Sequence, residues 1–188
     1  MERVRACVVG ATGYAGVELC RLVLSHPALE LAMATDRKEA GTRLDAVYPS
    51  LAGCCDVTLS LPEPDAIAGA ADVAFLAVPH TASLELTPGL LARGVDVIDL
   101  SADYRLHDPA VYEAWYATPH TSPELLSRTV YGLPELFRDG VRALAARRRA
   151  VHDVDDGDGD RTDDHREEEA SHGQRHGHGD GRGDGLAL

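Results

Sequence analysis

A glycine-rich turn close to the start of the chain is the feature that most constrains the fold. Gly10, Gly13 and Gly16 follow the apolar run at residues 4–9 and lead into a helical pattern that begins near Tyr14. In a strand–turn–helix unit, backbone N–H groups and the positive end of the helix dipole meet at one point, where a pyrophosphate can bind. The position therefore predicts a dinucleotide-binding turn, the alternative being a tight turn that binds nothing.

Each residue of this turn has an expected role. Gly10 suits the tight turn, Gly13 lets the backbone approach a phosphate, and Gly16 lets the helix pack closely on the strand. Between the glycines, Thr12 offers a hydroxyl donor, and the predicted site also includes Tyr14 and Ala15. The G-x-x-G-x-x-G spacing is one residue longer than the commonest fingerprint, so the interpretation depends on the surrounding elements.

The composition divides the 188 residues into two parts. Residues 1–146 are rich in Ala, Val and Leu and predict one folded domain, whereas residues 147–188 are almost entirely Arg, Asp, Glu, His and Gly. The second part lacks the apolar periodicity that offsets ordering entropy, which predicts a disordered tail. Because the change is abrupt, we also expect a shift of reading frame near codon 146, to be checked by translating the other two frames.

Charge and apolar content exclude several classes of partner. The net charge is −13, from 31 acidic and 18 basic residues, and no basic stripe is present, so no nucleic acid partner is expected. No run approaches the ~20 apolar residues that span a bilayer, and the first strand follows Met1 too closely to leave room for a signal peptide. These features predict a cytoplasmic protein that does not bind membranes.

The cysteines and acidic runs do not predict a metal site. The four cysteines show no C-x-x-C spacing, and Cys7 and Cys20 fall in a predicted strand and helix, where cysteine is typically a buried core residue. Asp156, Asp158 and Asp160 imitate a calcium loop, but Arg161 occupies the position that requires glycine. We therefore expect no bound metal.

Strand and helix patterns alternate along the first 146 residues. Strands are predicted at residues 4–9, 29–34, 57–61, 72–78 and 95–100, and helices at residues 14–25, around Ile67 and at residues 82–93. This alternation predicts an α/β fold, a Rossmann-type doubly wound parallel sheet with right-handed crossovers. Ligands of such sheets bind outside the carboxyl ends of the strands.

Segments at those strand ends complete the predicted cofactor site. Thr35, Arg37 and Lys38 lie where a Rossmann unit meets the adenosine ribose; an acidic residue there favours NAD, and basic residues favour NADP. Asp36 keeps both cofactors open, but the adjacent Arg37 and Lys38 favour NADP(H). Later strand ends add Pro79, His80 and Ser101, and His80 is either a capping histidine or a group near the nicotinamide.

Six segments in this order resemble the N-terminal domain of the N-acetyl-gamma-glutamyl-phosphate reductases, the arginine-biosynthesis members of the semialdehyde dehydrogenase superfamily. They are residues 9–16 (VGATGYAG), 37–41 (RKEAG), 48–51 (YPSL), 75–80 (FLAVPH), 99–105 (DLSADYR) and 131–135 (YGLPE). The resemblance implies NADPH-dependent reduction of N-acetyl-glutamyl phosphate to a semialdehyde, through attack by a cysteine thiolate and hydride transfer to the thioester.

The resemblance ends before the family's catalytic cysteine. That cysteine lies in an Asn-Pro-Gly-Cys-Tyr-Pro-like turn after residues 131–135, and this chain has no cysteine after Cys55. No catalytic residue is therefore assigned, and the family's catalytic histidine and oligomer interface are expected to be missing as well. The alternative is a catalytically inactive NADP-binding module.

Overall fold

A parallel β-sheet with helices on both faces forms the centre of the fold. The computed structural model describes residues 3–155 and 186–187, with side chains described for residues 3–145. Within these residues the strands are β1 (Val4–Val9), β2 (Leu29–Thr35), β3 (Val73–Leu76), β4 (Asp96–Asp99), β5 (Thr129–Val130) and β6 (Leu186–Ala187), in the order β2-β1-β3-β4-β6-β5. Every pair of neighbouring strands is parallel.

The connections between the strands are mostly helical. The helices are α1 (Tyr14–Ser25), α2 (Leu44–Val47), α3 (Pro64–Ala70), α4 (Ala82–Leu91), α5 (Pro109–Tyr116) and α6 (Pro134–Asp155), with 3₁₀ turns at Pro49–Leu51 and Pro123–Arg128. None of the helices in the described part of the chain is long and apolar enough to cross a bilayer.

Alternate residues of the strands supply two separate apolar cores. In β1, Ala6 and Val8 pack with α1, whereas Cys7 and Val9 pack with α3 and α4 on the opposite face. Side chains of consecutive strand residues point to opposite faces, so a sheet covered on both sides needs continuous apolar strands. The apolar run at residues 4–9 meets this requirement.

The strand order places a crevice between β1 and β3. The chain passes from β1 to β2 on one side, and β3 pairs with β1 on the other, so the connections run in opposite directions from this point. Open α/β sheets bind ligands at such a switch point, outside the carboxyl ends of the strands. Here Gly10 follows β1 and Ala77 follows β3, and Ala77 N–H donates to the Val9 carbonyl at 2.9 Å.

The predicted α/β fold and most of its elements are confirmed. The predicted β1 and α1 match the observed bounds, and the other predicted strands and helices of the first hundred residues agree to within a few residues at their ends, with one exception. The prediction of a strand at residues 57–61 is wrong, because its pairing is divided. Thr58 forms a single antiparallel bridge with Arg43, and Ser60 a single parallel bridge with Thr35.

Regular structure extends beyond the predicted domain boundary at residue 146. Helix α6 continues to Asp155, and Leu186–Ala187 pair with both β4 and β5. The remainder of the predicted disordered tail, residues 156–185 and 188, lies outside the described residues.

Replacing Gly16 with alanine tests how closely α1 packs on the turn. A Cβ atom at residue 16 would lie 2.0 Å from the Gly10 carbonyl oxygen and 2.8 Å from Ala11 Cα, both backbone atoms. Overpacking of this kind costs ~1–3 kcal/mol or more, so we expect Gly16→Ala to lower the free energy of unfolding by at least ~2 kcal/mol in urea titrations.

Gly69→Ala is the matched control, because a Cβ atom there meets nothing within 4 Å. Gly69 lies within α3, where alanine is the better helix former. The free energy of unfolding of Gly69→Ala should therefore equal that of the wild type or exceed it by up to ~1 kcal/mol. Equal losses in the two variants would contradict the packing argument.

Candidate functional site

A cleft opens at the carboxyl ends of β1, β2 and β3. Its volume is about 590 Å³, within the range of about 300–1,000 Å³ that small-molecule sites occupy. Its lining combines glycine and apolar residues with charged residues, of which Arg37, Lys38 and Glu85 are exposed. The lining residues are Val9, Gly10, Thr12, Gly13, Thr35, Asp36, Arg37, Lys38, Pro62, Ala77, Val78, Pro79, Thr81, Ala82, Glu85 and Leu86.

The glycine turn brings backbone donors to this cleft. Gly10 has φ +80°, and a Cβ atom there would lie 2.4 Å from the Ala77 carbonyl oxygen, so only glycine permits this approach. Gly13 is the N-cap of α1 and makes no side-chain hydrogen bond to its first turn. The first N–H groups of a helix have no acceptor within the helix, which suits them and the helix dipole to bind an anion.

Hydrogen bonds from two other segments fix the turn. The N–H groups of Gly10 and Ala11 both donate to the Thr35 carbonyl at 3.0 Å, joining the turn to the end of β2. The Tyr48 hydroxyl donates to the Thr12 carbonyl at 2.5 Å from the loop after α2. The turn is therefore held in place by the protein itself, which limits the entropy lost when a ligand binds.

A buried hydroxyl in the cleft lacks a hydrogen-bond partner. Thr35 is fully buried and lines the cleft, and its Oγ1 atom is without a partner in the described structure, as is the Ser60 hydroxyl. A buried polar atom left unpaired costs free energy, and ligand sites are where such atoms gain their partners. Together with the first-turn N–H groups, this hydroxyl fits a ligand that carries phosphate and ribose oxygens.

Asp36 hydrogen bonds to its own loop. Its carboxylate accepts from the Thr12 hydroxyl and from the N–H groups of Lys38 and Glu39 at 2.8 and 3.1 Å. Burial raises the pKa of Asp36, but these hydrogen bonds and the Lys38 charge together lower the pKa below its ordinary value. Asp36 therefore stays ionised and organises the loop that carries the two basic residues.

Charges of both signs lie at the edge of the cleft beyond Asp36. The Arg37 guanidinium lies 3.6 Å from the Glu85 carboxylate of α4, and both side chains are mostly exposed. Exposed ion pairs of this kind contribute ~0–1 kcal/mol, so an incoming phosphate can compete with Glu85 for Arg37. Lys38 lines the same edge and adds a second positive charge.

The structure brings together seven of the twelve predicted cofactor-binding residues in the cleft lining. These are Gly10, Thr12, Gly13, Thr35, Arg37, Lys38 and Pro79. The first turn of α1 contains Tyr14, Ala15 and Gly16. Any anion binding by these residues would use their backbone N–H groups rather than their side chains. The roles predicted for all twelve remain predictions.

The other two predicted residues, His80 and Ser101, lie beside the cleft and outside its lining. The exposed His80 ring lies 6.0 Å from the Tyr116 ring. The Ser101 hydroxyl donates to Asp99 at 2.8 Å and accepts from the Asp103 N–H at 3.1 Å. The sequence does not predict Thr81 and Glu85 as cleft residues, because a residue at the start of a helix gives no sign of the sheet edge that it faces.

None of the four cysteines lines the cleft. Cys7 and Cys20 are fully buried, as predicted, and burial raises the pKa of each thiol to about 12, so neither forms a thiolate near neutral pH. Cys54 and Cys55 lie in the loop after the 3₁₀ turn at Pro49–Leu51, and all four thiols are free. Among the described residues no cluster of metal-ligating side chains is present, and the calcium-like run at residues 156–167 lies outside them.

Asp99 is a buried carboxylate at the end of β4. It accepts hydrogen bonds from the Ser83 hydroxyl at 2.7 Å and from the Ser101 N–H and hydroxyl, both at 2.8 Å. Burial raises its pKa more than these hydrogen bonds lower it, and the neighbouring Asp103 charge raises it further. The three donors therefore offset only part of the free-energy cost of burying the ionised carboxylate.

Comparison with known proteins agrees with this arrangement. The family model described as the NAD-binding domain of semialdehyde dehydrogenase matches residues 5–144. The chain is 52% identical over 138 residues to the N-acetyl-gamma-glutamyl-phosphate reductase of Syntrophobacter fumaroxidans, covering 73% of this chain and 40% of that protein. It is 48% identical over 139 residues to that of Nitrosococcus oceani, covering 74% and 40%. The chain thus spans about two fifths of the length of these curated relatives.

Solved structures share the fold at low sequence identity. Aspartate semialdehyde dehydrogenase with NADP from Candida albicans superposes with a TM-score of 0.61 at 16% identity, covering 83% of this chain and 40% of that one. Aspartate semialdehyde dehydrogenase II from Vibrio cholerae superposes with a TM-score of 0.55 at 15% identity, covering 79% and 37%. At such identities the likeness shows the fold alone.

The raised pKa of Asp99 predicts a specific pH dependence. Because the folded state binds this proton more tightly than the unfolded chain, the contribution to stability is fully present below the ordinary pKa of 3.8 and is lost as pH rises through the folded-state value. The free energy of unfolding of the wild type relative to Asp99→Asn should therefore decrease as the pH rises above the ordinary pKa of 3.8. A difference that rises with pH in urea titrations would contradict it.

Proposed function

The chain belongs to the semialdehyde dehydrogenase family through its NAD-binding domain, and we propose that this domain binds NADP(H) for an N-acetyl-gamma-glutamyl-phosphate reductase. The proposed reaction reduces an acyl phosphate to a semialdehyde and releases phosphate, as a step of arginine biosynthesis. Identity of about half the residues to relatives of that name supports the proposed substrate.

The observation that carries the cofactor assignment is the glycine turn beside an unpaired buried hydroxyl. First-turn N–H groups of α1 meet the cleft where Gly10 passes close to Ala77, and Thr35, whose Oγ1 atom has no hydrogen-bond partner, is part of the same lining. The first-turn N–H groups suit a pyrophosphate, and the Thr35 hydroxyl suits a ribose oxygen. A turn that serves only to reverse the chain would need neither the free N–H groups nor the hydroxyl.

Each part of the cleft then has a proposed task. The bound cofactor would supply the hydride, while the turn from Gly10 to Gly16 would hold the pyrophosphate. Thr35 would bond the adenosine ribose, and Pro79 with the first turn of α4 would form the wall on the nicotinamide side. His80 and Ser101 are outside the lining of the cleft, and we propose that they approach the substrate rather than the cofactor.

Charge at the cleft edge favours NADP(H) over NAD(H). A carboxylate at the ribose would favour the unphosphorylated cofactor, but the Asp36 carboxylate already accepts three hydrogen bonds from its own loop. The binding free energy of a 2′-phosphate would instead depend on Arg37 and Lys38, whose charges lie at the same edge.

We propose no nucleophile within this chain. Cys7 and Cys20 are buried on the two faces of the sheet, and neither Cys54 nor Cys55 lines the cleft. Titration of the purified chain with NADPH, followed by fluorescence, should show binding. Addition of N-acetyl-glutamate semialdehyde, NADP and phosphate should show no turnover. Absence of NADPH binding would contradict the proposed function, and turnover would contradict the absence of a nucleophile.

Lys38→Gln tests the selection of the 2′-phosphate. Loss of one charge-assisted contact to phosphate should weaken NADPH binding by roughly tenfold and leave NADH binding within about twofold. Arg21→Gln is the matched control, because Arg21 is exposed on α1 and pairs with Glu18, away from the cleft. Equal weakening of both cofactors by Lys38→Gln would count against a 2′-phosphate site.

Glu85→Gln should act in the opposite direction. Its carboxylate pairs with Arg37 at 3.6 Å and would repel a phosphate at the same edge. Removal of that charge should strengthen NADPH binding by about two- to fivefold in low salt, with a smaller effect in high salt, because salt screens exposed charges. Unchanged NADPH affinity in low salt would show that Glu85 does not compete for Arg37.

A further inference from the structure

Thr81 adopts a backbone conformation that a β-branched residue rarely takes. At the start of α4 it has φ +74° and ψ −34°, and its own side chain does not cap the helix. Residues in such conformations persist only where surrounding contacts hold them, and they concentrate at ligand sites. Because Thr81 lines the cleft beside Pro79, whatever holds Thr81 also shapes that wall.

The contact that holds Thr81 comes from a residue 22 positions later in the chain. The Asp103 carboxylate is fully buried, and its two oxygens accept from the Thr81 N–H at 3.0 Å and the Leu84 N–H at 3.3 Å. It therefore performs the task of an N-cap for α4 from another loop. The carboxylate also lies at the positive end of the α4 dipole, which stabilises it.

Other groups fix Asp103 in turn. The buried Tyr112 hydroxyl of α5 donates to Oδ1 at 2.7 Å. His120 Nδ1 accepts from the Ser122 N–H at 3.3 Å, so Nε2 carries the proton and donates to the Asp103 carbonyl at 3.0 Å. Side chain and backbone of Asp103 are both anchored, which gives α4 a rigid support.

We propose that Asp103 is a positioning residue that holds Thr81, and with it residues 79–82, as the wall of the cleft facing the nicotinamide half of the cofactor. Asp103 itself lies behind this wall and does not line the cleft. The adenosine half is held by different elements, namely the glycine turn and the Asp36 loop. The proposal rests on the proposed function for its ligand, but its structural part concerns the protein alone.

The two halves of the cofactor give a test that separates positioning from general stability. Asp103→Asn keeps one carbonyl acceptor and places an amide donor against the other N–H group. In the full chain it should weaken NADPH binding by roughly tenfold. Binding of adenosine 2′,5′-bisphosphate, which has no nicotinamide, should stay within about twofold of wild type. Equal weakening of both ligands, or of neither, would overturn the proposal.

Two further variants control for stability. Asp108 caps α5 through the Ala110 N–H at 2.8 Å, so Asp108→Asn makes the same substitution at a helix cap away from the cleft and should leave both affinities unchanged. Tyr112→Phe removes only the hydroxyl bond to Asp103 and serves if Asp103→Asn does not fold. It should weaken NADPH binding about threefold and leave the bisphosphate unaffected, and no effect on NADPH would count against the proposal.

Amide hydrogen exchange without ligand distinguishes this proposal from the proposed function. In Asp103→Asn, or in Tyr112→Phe if the former does not fold, exchange should accelerate at least tenfold in residues 80–84, and the Gly10–Gly16 turn should be unchanged. Unchanged exchange in residues 80–84 would overturn the positioning role. Failure of wild-type chain to bind either ligand, with the exchange difference present, would instead contradict only the proposed cofactor function.

Discussion

The close approach of Gly10 to Ala77 is the constraint on which the candidate site depends. Both residues directly follow neighbouring parallel strands, and the Ala77 N–H continues the ladder by donating to Val9. A side chain at residue 10 would meet the Ala77 carbonyl and separate the two strand ends. Since a side chain at Gly16 would in turn meet Gly10, the same turn also sets the position of α1. The location of the helix N-terminus is thus determined by the sheet.

The opposite wall of the cleft is built by a different physical principle. Glycines shape the β1 side by leaving space, whereas buried carboxylates shape the β3 side by accepting hydrogen bonds. Asp99 accepts a hydrogen bond from Ser83, and Asp103 accepts from Thr81 and Leu84. The end of β4 and the loop after it therefore hold the start of α4 at three points. Buried charges require such partners, and the α4 dipole contributes to their stabilisation. The cost of burial is seen in the raised pKa of Asp99.

Local patterns predict the first half of the fold well. Continuous apolar residues in β1 and a glycine turn before α1 are sequence-local signals, and both elements have their predicted bounds. The segment at residues 57–61 shows the limit, because it resembles a strand but its partners, Arg43 and Thr35, lie on different segments. The pattern of apolar and polar residues in a segment does not identify the segments with which it pairs. Thr81 shows the same limit, because no glycine marks its positive φ and its support comes from Asp103, far along the chain.

Cofactor selection shows why residue type alone is an incomplete guide. Read by position, Asp36 favours NAD and its neighbours favour NADP. The structure separates these roles, because Asp36 accepts bonds from Thr12 and from the backbone of its own loop, while Arg37 and Lys38 keep their charges at the cleft edge. An acidic residue that already accepts three hydrogen bonds from its own loop has about one lone-pair site left for a ribose hydroxyl. The same carboxylate that argues for NAD in the sequence therefore supports, in the fold, the loop that would bind a 2′-phosphate.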